Sequence, residues 1–161
     1  MELIQGTHIL LEGETRSGVY YVEAPRDGRA VFVMPWKGNT LVGTTETPYH
    51  GDPATVQPLP DEVEYLRETF HHYFPARHTN TLSSFAGLRV LPHAAHRAFQ
   101  RARETRLQTD TPRRPRLVSI YGGKLTGYRA TAAKIVALLR HSLPSCPVRA
   151  DTAQLPLTPV E

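Results

Sequence analysis

The sequence predicts an α+β fold, a mainly antiparallel sheet with two principal helices. Its first half alternates short β-rich stretches with turn sequences, which is typical of consecutive paired strands. One central stretch and one late stretch carry apolar residues at helical spacing. At 161 residues the chain is long enough to bury a core, and its 40% hydrophobic and 21% charged residues are typical of a globular protein.

Four β-rich stretches predict the sheet, and they cover residues 6–11, 18–24, 30–36 and 40–45. The last three are linked by short turns, one of which contains Asp27 and Gly28, a common hairpin pair. Strands joined by so few residues pair antiparallel. We therefore predict a three-stranded meander with the first strand alongside it.

Residues 61–74 predict the first helix. The residues of its apolar stripe are Val63, Leu66, Phe70 and Phe74. Pro60, Asp61 and Glu62 favour a helix start here, since proline needs no N–H at that point and acidic side chains complement the positive end of the helix dipole.

The remainder predicts three further strands and a second helix. The strands cover residues 81–91, 103–110 and 117–121. Apolar residues at helical spacing then mark the second helix, and these are Leu125, Tyr128, Ala132, Ile135 and Leu139. Residues 142–161 are proline-rich and are predicted to form an extended tail.

The composition excludes several classes of protein. A single cysteine, Cys146, excludes an internal disulfide framework and a cysteine-based zinc site, and we predict no metal site. No apolar run reaches the roughly 20 residues that a membrane span needs. The net charge of +4 and the pI of about 9.5 come mainly from arginine. Such a charge suits an enzyme of phosphorylated metabolites or a weak nucleic-acid binder, and charge alone does not separate these two.

The segment "YGGKLTG" at 121–127 places two glycines and a lysine between a predicted strand and a predicted helix. It is not a Walker phosphate loop, because Val118 stands where the first glycine belongs and Leu125 where serine or threonine belongs. The 161 residues also contain no Gly-x-Gly-x-x-Gly dinucleotide fingerprint. The free N–H groups of a helix start could still stabilise a negative charge. The alternative is a plain turn with an exposed lysine.

Three stretches carry a joint pattern: "QGTHIL" at 5–10, "VFVMPWKGNTLVGTTETPYHGDP" at 31–53 and "LVSIYGGKLTGYR" at 117–129. A fourth, "FAGLRVLP" at 85–92, falls between them in the matching order. Together they resemble the FAD-dependent glycerol-3-phosphate dehydrogenases, a branch of the D-amino-acid-oxidase-like flavoproteins. The resemblance extends over nearly the whole chain up to about residue 140.

The resemblance implies an enzyme that oxidises sn-glycerol 3-phosphate to dihydroxyacetone phosphate by hydride transfer to FAD. Quinone then accepts the electrons, or oxygen does so in the related oxidases. Such an enzyme is cytoplasmic or peripheral on the inner face of the cytoplasmic membrane, and we expect no specific nucleic-acid partner. Sheet edges could also support a homodimer.

The resemblance also implies roles for individual side chains. His8 is the candidate base, because histidine titrates in the working range whereas arginine is a poor proton acceptor. Arg89 would lie beside the substrate and, with Arg103 and Lys124, bind its phosphate. Arg101 is an alternative to Arg103. The competing interpretations are a buried, hydrogen-bonded strand histidine and surface ion pairs.

The resemblance also implies that the glycine turn contacts the flavin ring through backbone N–H groups at the start of the helix. The residues concerned are Gly122, Gly123, Lys124, Leu125 and Thr126. On this basis residues 1–116 form the sheet and helix of the substrate-binding (cap) domain of a two-domain flavoprotein. Residues 117–141 form the strand, turn and helix that face FAD, and residues 142–161 form the tail.

The sequence departs from the family pattern at several positions. Glu46 replaces an aspartate, Val90 a proline and Gly127 a threonine, and Glu104-Thr105 replaces an Asp-Tyr pair. The substrate could therefore be another small polyol phosphate or a hydroxy acid. The chain also lacks the family's dinucleotide-binding unit, so we expect it to be a fragment that alone neither retains FAD nor turns over.

Overall fold

The computed structural model describes residues 2–15, 17–91 and 104–156. It divides into two compact units, one covering the described residues up to Leu91 and the other covering 104–156. The predicted α+β fold, with a mainly antiparallel sheet and two helices, is confirmed. Within these described residues no helix is both long and apolar enough to cross a membrane.

The first unit is a six-stranded antiparallel sheet with one helix. Its elements are β1 (Glu2–Leu11), β2 (Tyr20–Glu23), β3 (Ala30–Trp36), β4 (Asn39–Gly43), β5 (Thr47–Tyr49), α1 (Pro60–Tyr73) and β6 (Thr81–Leu91). The strand β1 is central, because β6 pairs along its whole length on one side while β4 and β5 share the other side. The predicted meander is β2, β3 and β4.

Alternation along β1 separates the two faces of this sheet. Odd-numbered residues from Gln5 onward face α1, and the even-numbered residues, including Gly6 and His8, face the opposite side. The core lies between sheet and helix, and its buried apolar residues are Ile9, Leu11, Ala24, Val31, Val33, Val42, Tyr65, Leu66 and Phe70. We call the opposite side the His8 face.

The crossover from β4 to β5 contains a β-bulge. Gly43 pairs with His8 and Thr47 pairs with Gln5. Two residues of β1 lie between these pairs, whereas residues 44–46 supply three on the other strand. The extra residue ends the regular ladder, which is why β4 stops at Gly43 rather than at the predicted residue 45.

Glu62 anchors the start of α1 to the sheet. Its side chain is buried, with the residue 6% exposed, and its carboxylate accepts five hydrogen bonds. The donors are Gln5 Nε2, Thr7 Oγ1, Thr45 Oγ1, Thr47 Oγ1 and the N–H of Leu59. Burial alone raises the pKa of Glu62, but these donors outweigh burial and the pKa is lowered.

The second unit is a hairpin followed by a helix. Its elements are β7 (Arg106–Thr109), β8 (Val118–Tyr121), a 3₁₀ turn (Leu125–Gly127) and α2 (Tyr128–Leu139). The strand β7 pairs with β8 along its length, from Arg106 opposite Tyr121 to Thr109 opposite Val118. This pairing joins both strands in one unit, whereas the domain boundary drawn from the sequence lies between them, at 116/117. None of the residues of α2 is buried.

Candidate active site

The predicted site residues occur in both units. His8 and Arg89 lie in the first unit, on adjacent strands that pair antiparallel. Both side chains belong to the His8 face. The glycine turn, including Lys124, lies in the second unit.

The His8 ring lies over Gly43 of the neighbouring strand, where the absence of a side chain leaves room for it. Gly43 is its partner on β4, and a Cβ added at Gly43 would overlap the imidazole carbons. On the other side Phe85 of β6 stacks on the ring, with centroids 5.1 Å apart and planes within 7°. The imidazole is therefore held by one contact that requires glycine and one aromatic contact.

The environment of His8 favours the neutral imidazole. Burial lowers its pKa from the ordinary value of 6.5, and the nearby positive charge of Arg89 lowers the pKa further. A neutral imidazole at neutral pH has one nitrogen able to accept a proton. This is the chemical requirement for a general base, although the role itself stays a prediction.

The guanidinium of Arg89 is fixed over Gly6. Nη1 donates to Glu46 Oε1 at 2.9 Å, and Nη2 donates to the carbonyl of Thr45 at 2.6 Å. A Cβ at Gly6 would lie 3.0 Å from Nη2 and 2.5 Å from Thr44 Oγ1, so a larger residue would displace one or both groups. The bulge and a glycine of β1 together set the position of Arg89.

Glu46 and Arg29 are members of this cluster that sequence reasoning missed. The Glu46 side chain is only 7% exposed, and its carboxylate lies 2.9 Å from Arg89 and 3.9 Å from Arg29. Arg29 also donates to the Glu46 carbonyl at 3.1 Å and lies over the Tyr65 ring. Glu46 had appeared only as a departure from the family pattern, and no local motif connects it with Arg29.

The glycine turn of the second unit has a backbone that only glycine adopts easily. Gly122 and Gly123 have φ values of +69° and +86°. A Cβ at Gly122 would lie 2.8 Å from the carbonyl oxygen of Glu104, and one at Gly123 would lie 2.6 Å from Thr105 Oγ1. Both glycines are needed because the turn passes directly against the residues that lead into β7.

A groove of about 390 Å³ runs along this turn. The lining residues are Thr105, Ile120, Gly122, Gly123, Lys124, Leu125, Tyr128, Thr131, Ala132 and Ile135. Leu125 is 89% exposed and Tyr128 58% exposed, so two large apolar side chains border the groove at the surface.

The remaining predicted phosphate ligands are Arg103, with its alternative Arg101, and Lys124. Arg103 and its alternative Arg101 lie outside the described residues. Lys124 is exposed and stands at the N-cap position of the 3₁₀ turn, where its side chain makes no capping hydrogen bond. Its role in phosphate binding stays a prediction. Among the residues that the structure describes, no group of histidine, cysteine and acidic side chains could hold a metal ion.

The lowered pKa of His8 predicts a pH dependence of stability. A group whose folded pKa is depressed contributes stability above its unfolded pKa, here 6.5, and this contribution is lost as the pH falls through the folded value. We expect the melting temperature of the wild type to drop more steeply between about pH 7.5 and pH 5 than that of His8→Gln, because glutamine does not titrate. Calorimetry on both proteins measures this, and parallel curves would contradict it.

Comparisons with known proteins give consistent similarities. The family model described as FAD dependent oxidoreductase matches residues 1–138. A glycerol-3-phosphate dehydrogenase of Synechocystis sp. is 32% identical over 155 residues, which cover 89% of this chain and 28% of the relative. The aerobic glycerol-3-phosphate dehydrogenase of Escherichia coli is 30% identical over 138 residues, covering 82% of this chain and 27% of the relative.

A solved structure is similar over the same region. The glycerol-3-phosphate dehydrogenase from Bacillus halodurans, complexed with FAD, superposes with a TM-score of 0.69 and 30% sequence identity. The match covers 88% of this chain and 27% of that one. The chain thus spans little more than a quarter of the length of the proteins that it matches.

Proposed function

This chain belongs to the FAD dependent oxidoreductase family, and from that membership we propose that it forms part of an enzyme that oxidises sn-glycerol 3-phosphate. The product is dihydroxyacetone phosphate, and FAD, when bound, accepts the hydride. The names of the relatives support the substrate. Because the chain spans 28% of the Synechocystis relative, this activity is proposed for the whole protein and not for these 161 residues alone.

The observation that carries the proposal is that His8, whose pKa is lowered, and the fixed guanidinium of Arg89 lie on the same face of the sheet. Alcohol oxidation removes a proton from the hydroxyl and a hydride from its carbon. The lowered pKa of His8 keeps a proton acceptor available at neutral pH. Arg89, held by Glu46 and the Thr45 carbonyl, supplies positive charge at a set position. These are the two protein functions that oxidation of a phosphorylated alcohol needs on its substrate side.

Arg89 is suited to a phosphate because a guanidinium presents five N–H groups in a rigid plane. One of them binds Glu46 and another the Thr45 carbonyl, so the plane of the group is set before any ligand arrives. Preorganised donors spend little free energy on reorientation when a charged ligand binds. Lys124, in the second unit, is proposed as a phosphate ligand only from the resemblance of its segment to the family.

The groove at the glycine turn is the proposed contact for the isoalloxazine ring of FAD. Gly122 and Gly123 keep side-chain bulk out of this turn. Ile120, Tyr128 and Ile135 give the groove an apolar wall. Residues 122–126 would hold the polar edge of the ring through their backbone N–H groups, which suit a site of negative charge at a helix start.

An exchange of segments tests the proposed function. The aligned segment of the Escherichia coli relative is replaced by residues 1–138 of this chain, and FAD content and glycerol 3-phosphate-dependent dye reduction are measured. We expect an active flavoprotein whose His8→Asn variant is slower by about 10²–10⁴-fold, the usual contribution of a general base. A hybrid that retains FAD but is not reduced by glycerol 3-phosphate would refute the proposal.

The electron acceptor in this proposal is quinone, and the related alternative is oxygen. The two are separated by measuring quinone reduction and oxygen consumption on the same active hybrid. Rapid quinone reduction with little oxygen uptake supports the dehydrogenase, whereas the reverse supports an oxidase. A dehydrogenase of this kind would work in the cytoplasm or on the inner face of the cytoplasmic membrane, and cell fractionation tests this location.

The 161-residue chain by itself is predicted not to retain FAD. Most of the binding energy of FAD comes from its pyrophosphate, and these residues contain no Gly-x-Gly-x-x-Gly turn to hold that group. The purified chain should therefore be colourless and show no flavin absorbance after gel filtration with added FAD. A yellow protein with near-stoichiometric flavin would contradict this prediction, and the active hybrid enzyme serves as the positive control.

A further inference from the structure

We propose that Glu62 is a positioning residue that fixes Arg89 on the His8 face by way of Thr45. Glu62 lies on the side of the sheet that packs against α1, whereas Arg89 lies on the opposite side. The connection runs through the β-bulge between β4 and β5. The importance of Arg89 for a substrate rests on the proposed function, but the connection itself can be measured without substrate or flavin.

The first step is the hold of Glu62 on the bulge. Thr45 Oγ1 donates to Glu62 Oε1 at 2.8 Å, and Thr47 Oγ1 donates to the same oxygen at 2.6 Å. Thr45 is 2% exposed and Glu62 6% exposed, so water does not replace these bonds easily. Hydrogen bonds to a buried carboxylate are stronger than those between neutral groups. The crossover is therefore tied to the first turn of α1.

The second step is an exchange of hydrogen-bond acceptor in the pairing of β1 with the bulge: the Thr45 hydroxyl takes the place of the Thr45 carbonyl. Thr45 lies opposite Thr7, and its N–H donates to the Thr7 carbonyl at 3.3 Å. In a regular antiparallel pair the Thr7 N–H would bond back to the Thr45 carbonyl. Instead it donates to the Thr45 hydroxyl oxygen at 2.9 Å. The hydroxyl can accept this bond because its own hydrogen is directed to Glu62.

The third step concerns the Thr45 carbonyl, which is available to another donor because it does not accept the Thr7 N–H. The carbonyl of Thr45 accepts a hydrogen bond from Arg89 Nη2 at 2.6 Å. The next residue, Glu46, accepts from Arg89 Nη1 at 2.9 Å. These two acceptors both come from the bulge that Glu62 holds. A carboxylate on the helix side sets the geometry of an arginine on the other side.

A simpler explanation is that Glu62 only caps α1 while the ion pair with Glu46 alone holds Arg89. Glu62 does accept the N–H of Leu59, which is one half of a capping box. The two explanations differ for the Thr45 hydroxyl. The Thr45 hydroxyl is not part of the Leu59–Glu62 bond that caps the helix, whereas the proposed connection from Glu62 to Arg89 passes through this hydroxyl.

The test compares Thr45→Val with Thr69→Val in the 161-residue chain. Valine has nearly the shape of threonine and replaces the hydroxyl by a methyl group that cannot form hydrogen bonds. Thr69 is the matched control, since it is 1% exposed and its hydroxyl donates to the Tyr65 carbonyl within α1, away from the bulge. The quantity measured is the hydrogen-exchange rate of the Arg89 Nη–H groups, which bond to the Thr45 carbonyl and to Glu46, by NMR of labelled protein.

We expect exchange at Arg89 to be about tenfold faster in Thr45→Val, the ratio that corresponds to losing one hydrogen bond of about 1.4 kcal/mol. Thr69→Val and Thr45→Ser, which keeps the hydroxyl, should match the wild type. Equal rates in Thr45→Val and Thr69→Val would overturn the proposal. If Thr45→Val does not fold, Glu62→Asp replaces it, since it draws the carboxylate back by one methylene. Faster exchange supports the connection, and an unchanged rate overturns it.

The hybrid enzyme separates failure of this inference from failure of the proposed function. In an active hybrid, Thr45→Val should raise KM for glycerol 3-phosphate while Thr69→Val leaves KM unchanged. A hybrid that retains FAD but is not reduced by glycerol 3-phosphate would refute the proposed function, while the exchange rates at Arg89 in the 161-residue chain would still test the role of Glu62. Unchanged exchange in an active hybrid would refute only the role of Glu62.

Discussion

Glu62→Ala is expected to lower the free energy of unfolding by about 3–5 kcal/mol, the range seen when one partner of a buried charged network is removed. The substitution leaves three threonine hydroxyls and the Gln5 amide without their common acceptor in a buried site. It also removes the bond from the Leu59 N–H at the start of α1. Urea unfolding at about pH 7 measures this change in the free energy of unfolding.

Glu64→Ala is the control for this substitution. Glu64 lies on the same helix, its side chain is 59% exposed, and its contact with Arg67 is 3.7 Å long. Exposed ion pairs contribute little, so we expect a change within about 0.5 kcal/mol. A loss at Glu62 no larger than the loss at Glu64 would show that the buried network does not stabilise the fold.

The same carboxylate gives a pH dependence in the acid range. The pKa of Glu62 is lowered from 4.5 because its hydrogen bonds outweigh burial. Its contribution is therefore present above the unfolded pKa and lost as the pH falls through the folded value. The stability difference between wild type and Glu62→Gln should shrink in acid, and unfolding curves at several acid pH values test this. A difference that stays constant with pH would contradict the assignment.

Gly43→Ala is expected to displace the His8 ring and to destabilise the chain by about 1–3 kcal/mol, the usual cost of overpacking. The added methyl group would occupy the space of the imidazole carbons, and Phe85 closes the other side of the ring. The ring must therefore rotate away and lose its stacking. The NMR signals of His8, shifted in the wild type by the Phe85 ring current, should move toward ordinary values.

Gly87→Ala is the matched control, because Gly87 lies on the same sheet face and pairs with Gly6. No atom of the described residues lies within 4 Å of a Cβ at this position. Alanine costs less backbone entropy than glycine, so this variant should be as stable as the wild type or more stable by up to about 1 kcal/mol. Equal stabilities and unchanged His8 signals in both variants would rule out the steric role of Gly43.

Sequence periodicity was sufficient for most of the fold. Alternation and turn residues predicted the β2–β4 meander, and the apolar stripe of residues 61–74 predicted α1 within one residue at each end. These signals are local, since they depend on residues two to four positions apart. The first strand proved longer than predicted because Gln5 and other polar residues in β1 weaken the apolar signal.

The sites were predictable only in part, because their contacts join distant positions. His8 and Arg89 were found by family resemblance, and they lie on one face of the sheet. The bonds from Thr7 to Glu62 and from Arg29 to Glu46 cross 55 and 17 positions. One signal was available: Gln5 and Thr7 lie in the same alternation phase as the apolar Ile9. A polar residue in the buried phase of a strand needs a partner, and an acid at a nearby helix start can supply it.

The uncovered surface of α2 affects how the protein behaves at high concentration. Val136 is 58% exposed and Leu138 41% exposed on a helix with no buried residue. Solubility then depends on mutual repulsion between molecules, which the charge of +4 supplies near neutral pH. As the pH approaches the pI of about 9.5 that repulsion disappears, and the apolar helix surface remains to drive precipitation. We therefore expect this chain to stay in solution at the highest concentrations in a mildly acidic to neutral buffer of low ionic strength.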